Sequence, residues 1–145
     1  MRVTSPNIQL SCPQCGRANR IPLERLTDGP RCGACAAALP PIDQPLEVDA
    51  EAFEAIVDSA RTPVLVDFWA AWCGPCRAAA PLVAQTARTA AGRALVLKVD
   101  TEAEPELAAR FAVQGIPNFV VLKSSRIVRQ QAGVVDARTM LSWLE

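Results

Sequence analysis

There is no histidine among the 145 residues of this chain. That absence excludes imidazole general-base catalysis and any metal site that needs a ring nitrogen. Net charge is also absent, since fifteen Lys and Arg balance fifteen Asp and Glu. The chain as a whole therefore exerts no pull on nucleic acid. No apolar run approaches the roughly 20 residues of a membrane helix, so a membrane partner is not expected. Met1-Arg2-Val3-Thr4-Ser5-Pro6 has one positive side chain and no apolar stretch behind it, unlike a secretory signal. The expected location is the cytoplasm, where thiols stay reduced and paired cysteines bind metal or do redox chemistry.

Half of the residues are hydrophobic, enough for a packed core and too many for disorder. The length suits one domain, or one domain with a small extra module. The six cysteines form three pairs of one spacing: Cys12/Cys15, Cys32/Cys35 and Cys73/Cys76. The first two pairs lie among turn formers (Pro13, Gly16, Pro22, Gly29, Pro30 and Gly33), with too little apolar content for a core of their own. Pro40, Pro41 and Pro45 mark an extended connection. The chain thus divides into a module at 1–41 and a domain at 42–145. Five arginines oppose Glu24 and Asp28 in the first, and ten basic residues oppose thirteen acidic ones in the second.

Beyond the prolines the pattern turns regular. Asp49 caps a helix whose Phe53, Ile56, Val57 and Ala60 share one face. Val64–Trp69 reads as a strand buried on both sides. A helix follows from about Gly74 to Ala91, interrupted and kinked by Pro81 and stopped by Gly92. Ala94–Val99 is a second buried strand, and Glu104–Phe111 a short helix. Asn118–Leu122 and Ile127–Gln131 form a hairpin around a polar loop, and Asp136 caps a last helix. Leu46–Val48 adds an edge strand. The expected class is α/β, a mixed central sheet with helices on both faces.

Cys73 directly follows a buried strand and opens a helix. There it faces unpaired backbone N–H groups and the positive end of the helix dipole, which favour the thiolate that attacks disulfides. Cys76, one turn inward, is placed to resolve the mixed disulfide. Gly74 permits close approach of a partner backbone, and Pro75 suits the first helical turn. A third metal knuckle is the alternative, but the other four cysteines already make a complete set. These four, with sixteen residues between the pairs, carry the spacing of a closed tetrahedral zinc site. A rubredoxin-type iron site or two structural disulfides are the alternatives. Arg17, Arg20, Arg25 and Arg31 have no aromatic residue interleaved, which argues against nucleic-acid binding.

The run Trp69-Ala70-Ala71-Trp72-Cys73-Gly74-Pro75-Cys76-Arg77, with Pro81 and Ile116-Pro117, resembles the thioredoxin family over roughly residues 45–145. With the N-terminal cysteine pairs added, the chain is similar to the bacterial thioredoxin-2 subgroup, whose members carry a zinc-binding extension. The resemblance implies a thioredoxin fold preceded by a small zinc ribbon holding one Zn²⁺ on Cys12, Cys15, Cys32 and Cys35. It implies protein-disulfide reduction by Cys73 and Cys76, with Asp67 as a buried proton acceptor and Lys98 near it. It implies a cis bond at Pro117 and a substrate surface of Trp72, Gly74, Pro75, Gly115, Ile116 and Gly133, with Trp69 partly in a packing role. Electrons would come from an NADPH-dependent thioredoxin reductase, with no organic cofactor bound, and the partners would be disulfide-containing proteins met by a monomer. Asn118 departs from the Thr usual after the cis-proline. A zinc-regulated holdase or targeting module, with the dithiol secondary, is the other functional class.

Overall fold

In the computed structural model, which describes residues 1–145, the N-terminal segment forms a hairpin. Its strands are β1 (Asn7–Ser11) and β2 (Ala18–Pro22), paired antiparallel with Ile8 opposite Ile21. A single 3-10 turn, Leu23–Arg25, follows. Then come β3 (Leu46–Glu47), α1 (Ala50–Ser59), β4 (Val64–Trp69), α2 (Gly74–Thr89) and β5 (Leu95–Asp100). The chain closes with α3 (Pro105–Arg110), β6 (Asn118–Lys123), β7 (Arg126–Ala132) and α4 (Ala137–Trp143).

The local causes are those the sequence contains. Asp49 Oδ1 accepts from the Ala52 N–H at 2.8 Å, and Asp136 Oδ1 from the Thr139 N–H at 2.8 Å, capping α1 and α4. Pro105 occupies the first turn of α3, where its missing N–H costs nothing. Helix α2 runs as one element through Pro81 and is followed by Gly92 at φ +83°.

The main sheet has the order β3-β5-β4-β6-β7. β3 and β4 run parallel to β5, whereas β6 is antiparallel to both β4 and β7. Side chains alternate across it. Val64, Val66 and Phe68 face α1 and α3 with Leu97, Val99 and Val120, while Leu65, Val96, Phe119 and Val121 face α2 and α4. Asp67 lies between Leu65 and Trp69 and so belongs to the α2 face.

The hairpin does not stand apart from the sheet. Ile8, Ile21, Leu23 and Leu39 join one apolar cluster with Ala52, Phe53 and Ile56 of α1. Arg2 bridges to Glu47 in parallel, and the Val3 N–H donates to the Glu47 carbonyl at 2.9 Å. The Arg61 N–H at the end of α1 donates to Thr27 Oγ1 at 2.9 Å, and Arg61 pairs with Asp28 at 3.1 Å. The Arg61 contacts lie between α1 and the start of β4, whereas those of Arg2 and Val3 meet Glu47, level with Lys98 and Asp67. Cys73 follows the other end of β4, about 20 Å away for six residues at ~3.3 Å each.

Candidate active site and cysteine cluster

Residues Ala70–Cys73 turn the chain from the end of β4 into α2. Cys73 is the N-cap of that helix: its Sγ accepts from the Cys76 N–H at 3.1 Å. Cys73 and Cys76 are joined in a disulfide with Cα atoms 5.2 Å apart, and both are buried. The contacts that hold them come from Ala70, Trp69 and Ile116. Cys73 Sγ stands 3.7 Å from the Ile116 carbonyl oxygen. The Ile116–Pro117 bond is cis. The Pro117 carbonyl accepts from the Gly133 N–H at 2.8 Å, and Gly133 has φ +95°, a conformation that disfavours any side chain. Gly115 borders the methyl of Ala132. Gly74 and Pro75 form the first turn of α2.

Beneath this rim, Asp67 is 2% exposed and its Oδ1 has no hydrogen-bond partner. Burial pushes its pKa from 3.8 up to about 7, against the opposing attraction of Lys98. Lys98 sits across from Asp67 in the β4–β5 register, yet its ammonium lies over the Trp69 ring, 4.6 Å from the centroid. The lysine therefore neutralises Asp67 only in part. Trp72 is 66% exposed, and its indole N–H donates to Glu102 Oε1 at 2.7 Å. Glu102 is itself set by a turn in which Asp100 Oδ1 accepts from the Glu102 N–H at 2.9 Å.

The four remaining cysteines converge from two similar turns. Their sulfurs all lie within 4.8 Å of one another, with Cys12–Cys35 and Cys15–Cys32 each at 3.6 Å. In each turn a backbone N–H aims at the first sulfur: Gln14 to Cys12 Sγ and Ala34 to Cys32 Sγ, both 3.4 Å. Such donors stabilise thiolates. The Cys35 and Ala34 N–H groups draw Cys32 down to about 6, and the Cys15 N–H chiefly lowers Cys12. Asn19 ties the turns together, its Oδ1 accepting from the Gly33 N–H at 3.0 Å and its amide reaching the Arg17 carbonyl at 3.1 Å. Four thiolates at Zn–S distances of about 2.3 Å lie ~3.8 Å apart in a tetrahedron, so the donor set fits zinc.

A family model described as Thioredoxin matches residues 44–145. The chain belongs to the thioredoxin family. It is a thiol–disulfide oxidoreductase, and Cys73–Cys76 is its redox-active pair. A second model, described as Thioredoxin 2, N-terminal, matches residues 11–37, the part that contains the cysteine cluster. Among thioredoxins, thioredoxin C-3 of Corynebacterium nephridii is 38% identical, over 92% of this chain and 91% of that protein. Thioredoxin 1 of Chlorobaculum tepidum is also 38% identical, but over 63% of this chain and 90% of its own. The solved structure of a mutant thioredoxin from Halobacterium salinarum superposes with a TM-score of 0.67 at 29% identity, covering 72% of this chain and 91% of that one.

Three polar residues around these sites escape sequence reasoning. Glu102, Asn19 and Gln130 are ordinary surface or turn types, and the partners that tie them into these sites (Trp72, Gly33, and Phe111 with Asn118) are distant in sequence. A clue exists for Glu102 alone, in the Asp100-Thr101-Glu102 turn that follows a buried strand.

Proposed function

We propose that this thioredoxin is a protein-disulfide reductase of the reducing cytoplasm, acting as a monomer. The Cys73 thiolate attacks one sulfur of a substrate disulfide. A mixed disulfide forms, and the other substrate sulfur leaves as a thiolate that takes a proton from solvent. Asp67, ionised, accepts the Cys76 proton. Cys76 then attacks Cys73 Sγ, which closes the disulfide and releases the second substrate thiolate. Two electrons have passed to the substrate, and an NADPH-dependent thioredoxin reductase restores the dithiol.

The observation that carries this reading is the Cys73–Cys76 disulfide at the start of α2, with a buried, unpaired carboxylate on the α2 face of the preceding strand. The backbone of Gly115, Ile116 and Pro117 offers a substrate strand its pairing edge, and Trp72, Gly74, Pro75 and Gly133 complete the docking rim. Lys98 moderates the Asp67 proton affinity. The Gly-Pro dipeptide between the cysteines and Ile116 before Pro117 resemble reducing members of the family.

Residues 1–41 are the metal-binding unit and 42–145 the catalytic one. Zinc held by Cys12, Cys15, Cys32 and Cys35 supplies a cross-link in place of a large core. Insulin reduction with dithiol-recharged enzyme tests the catalytic reading. Wild type should precipitate the insulin B chain, Cys73→Ser should not, and Cys76→Ser should accumulate a mixed disulfide visible by mass. Undiminished turnover by Cys73→Ser would sink the proposal.

A further inference from the structure

Gln130 lies on β7, at the open edge of the main sheet and opposite Val120. Its amide nitrogen donates twice, to the Phe111 carbonyl oxygen at 2.8 Å and to Asn118 Oδ1 at 3.1 Å. These acceptors stand at the two ends of one segment. Phe111 closes α3, and Asn118 opens β6 directly after the cis bond. Between them, no backbone group of Gln114, Gly115 or Ile116 takes part in a backbone–backbone hydrogen bond. The stretch that faces Cys73 is thus held chiefly at its ends. One carboxamide is suited to that task, because its –NH₂ supplies two donors for two oxygens.

We propose that Gln130, acting through Phe111 and Asn118, is a positioning residue that fixes the 112–117 segment relative to Cys73 for backbone pairing with protein substrates. The inference rests on the reductase reading, in which that segment pairs with the substrate chain. A small disulfide has no chain to pair and needs only an accessible Cys73. Loosening the segment therefore weakens binding of protein disulfides while leaving exchange itself intact.

The test compares wild type with Gln130→Leu, which removes both bonds, and Gln130→Glu, which sets a carboxylate against two carbonyl oxygens. Each is assayed on insulin and on the aryl disulfide dithiobis(nitrobenzoate). The expected result is a rise of roughly fivefold to tenfold in KM for insulin with little change in kcat. Aryl disulfide reduction and the alkylation rate of Cys73 should stay within about twofold. A wild-type KM for insulin in both folded variants would overturn the inference, as would an equal loss on both substrates. A wild-type protein that leaves insulin intact would instead overturn the reductase reading, and this inference with it.

Discussion

At the scale of single residues, Asp67 carries the buried titration. Its carboxyl is raised from 3.8 to about 7 by burial. In that window the folded protein keeps a proton on Asp67 that the unfolded chain releases, so the Asp67 contribution to stability falls as pH rises from about 4 to about 7 and then levels. Asp67→Asn should flatten that slope and raise stability above pH ~7 by on the order of a few kcal/mol. The same change should slow resolution of the mixed disulfide by roughly a hundredfold. Urea midpoints at acid and neutral pH, read beside stopped-flow exchange, check both; parallel stability curves for the two proteins would refute the assignment. The resemblance pointed to Asp67, and its place between Val66 and Phe68 in an apolar strand agreed with burial. The seat of Lys98 over Trp69 was not legible, because register tells which residues are neighbours but not where a four-carbon stem ends.

At the scale of elements, the two cysteine turns make a controlled comparison. Each places a left-handed residue four positions after its first cysteine, Gly16 at φ +78° and Ala36 at φ +64°. The N–H of that residue returns to the carbonyl of the cysteine at 2.9 Å in both. Glycine adopts this conformation freely, whereas alanine carries a steric penalty. Ala36→Gly should therefore stabilise the zinc-loaded protein by up to about 1 kcal/mol and slow zinc loss to a chelator. An unchanged or lowered melting temperature would contradict that account. The helices and buried strands could be read in advance because their periodicity and caps are local. The β1–β2 hairpin could not: Asn7–Ser11 and Ala18–Pro22 mix polar and apolar residues, and their pairing depends on the cysteine turn between them. Gln130 escaped for a related reason, since nothing in its neighbours along the chain points to Phe111.

At the scale of the whole molecule, the N-terminal hairpin and α1 share one apolar cluster, so events at the cysteine cluster must be felt in the sheet. Chelation of zinc, or Cys32→Ser, should lower the melting temperature of the entire protein in a single transition. A thioredoxin portion that melts unchanged while the ribbon unfolds alone would contradict this. The ion pair at the junction adds little, because Arg61 is largely exposed; the apolar contacts carry the coupling. That shared core has a consequence for truncation. The Chlorobaculum tepidum protein aligns over 90% of its length with only 63% of this chain. The outer side of α1 carries an apolar lining that the first segment covers, so a shortened chain beginning near Ile42 should come out of the cell as insoluble material.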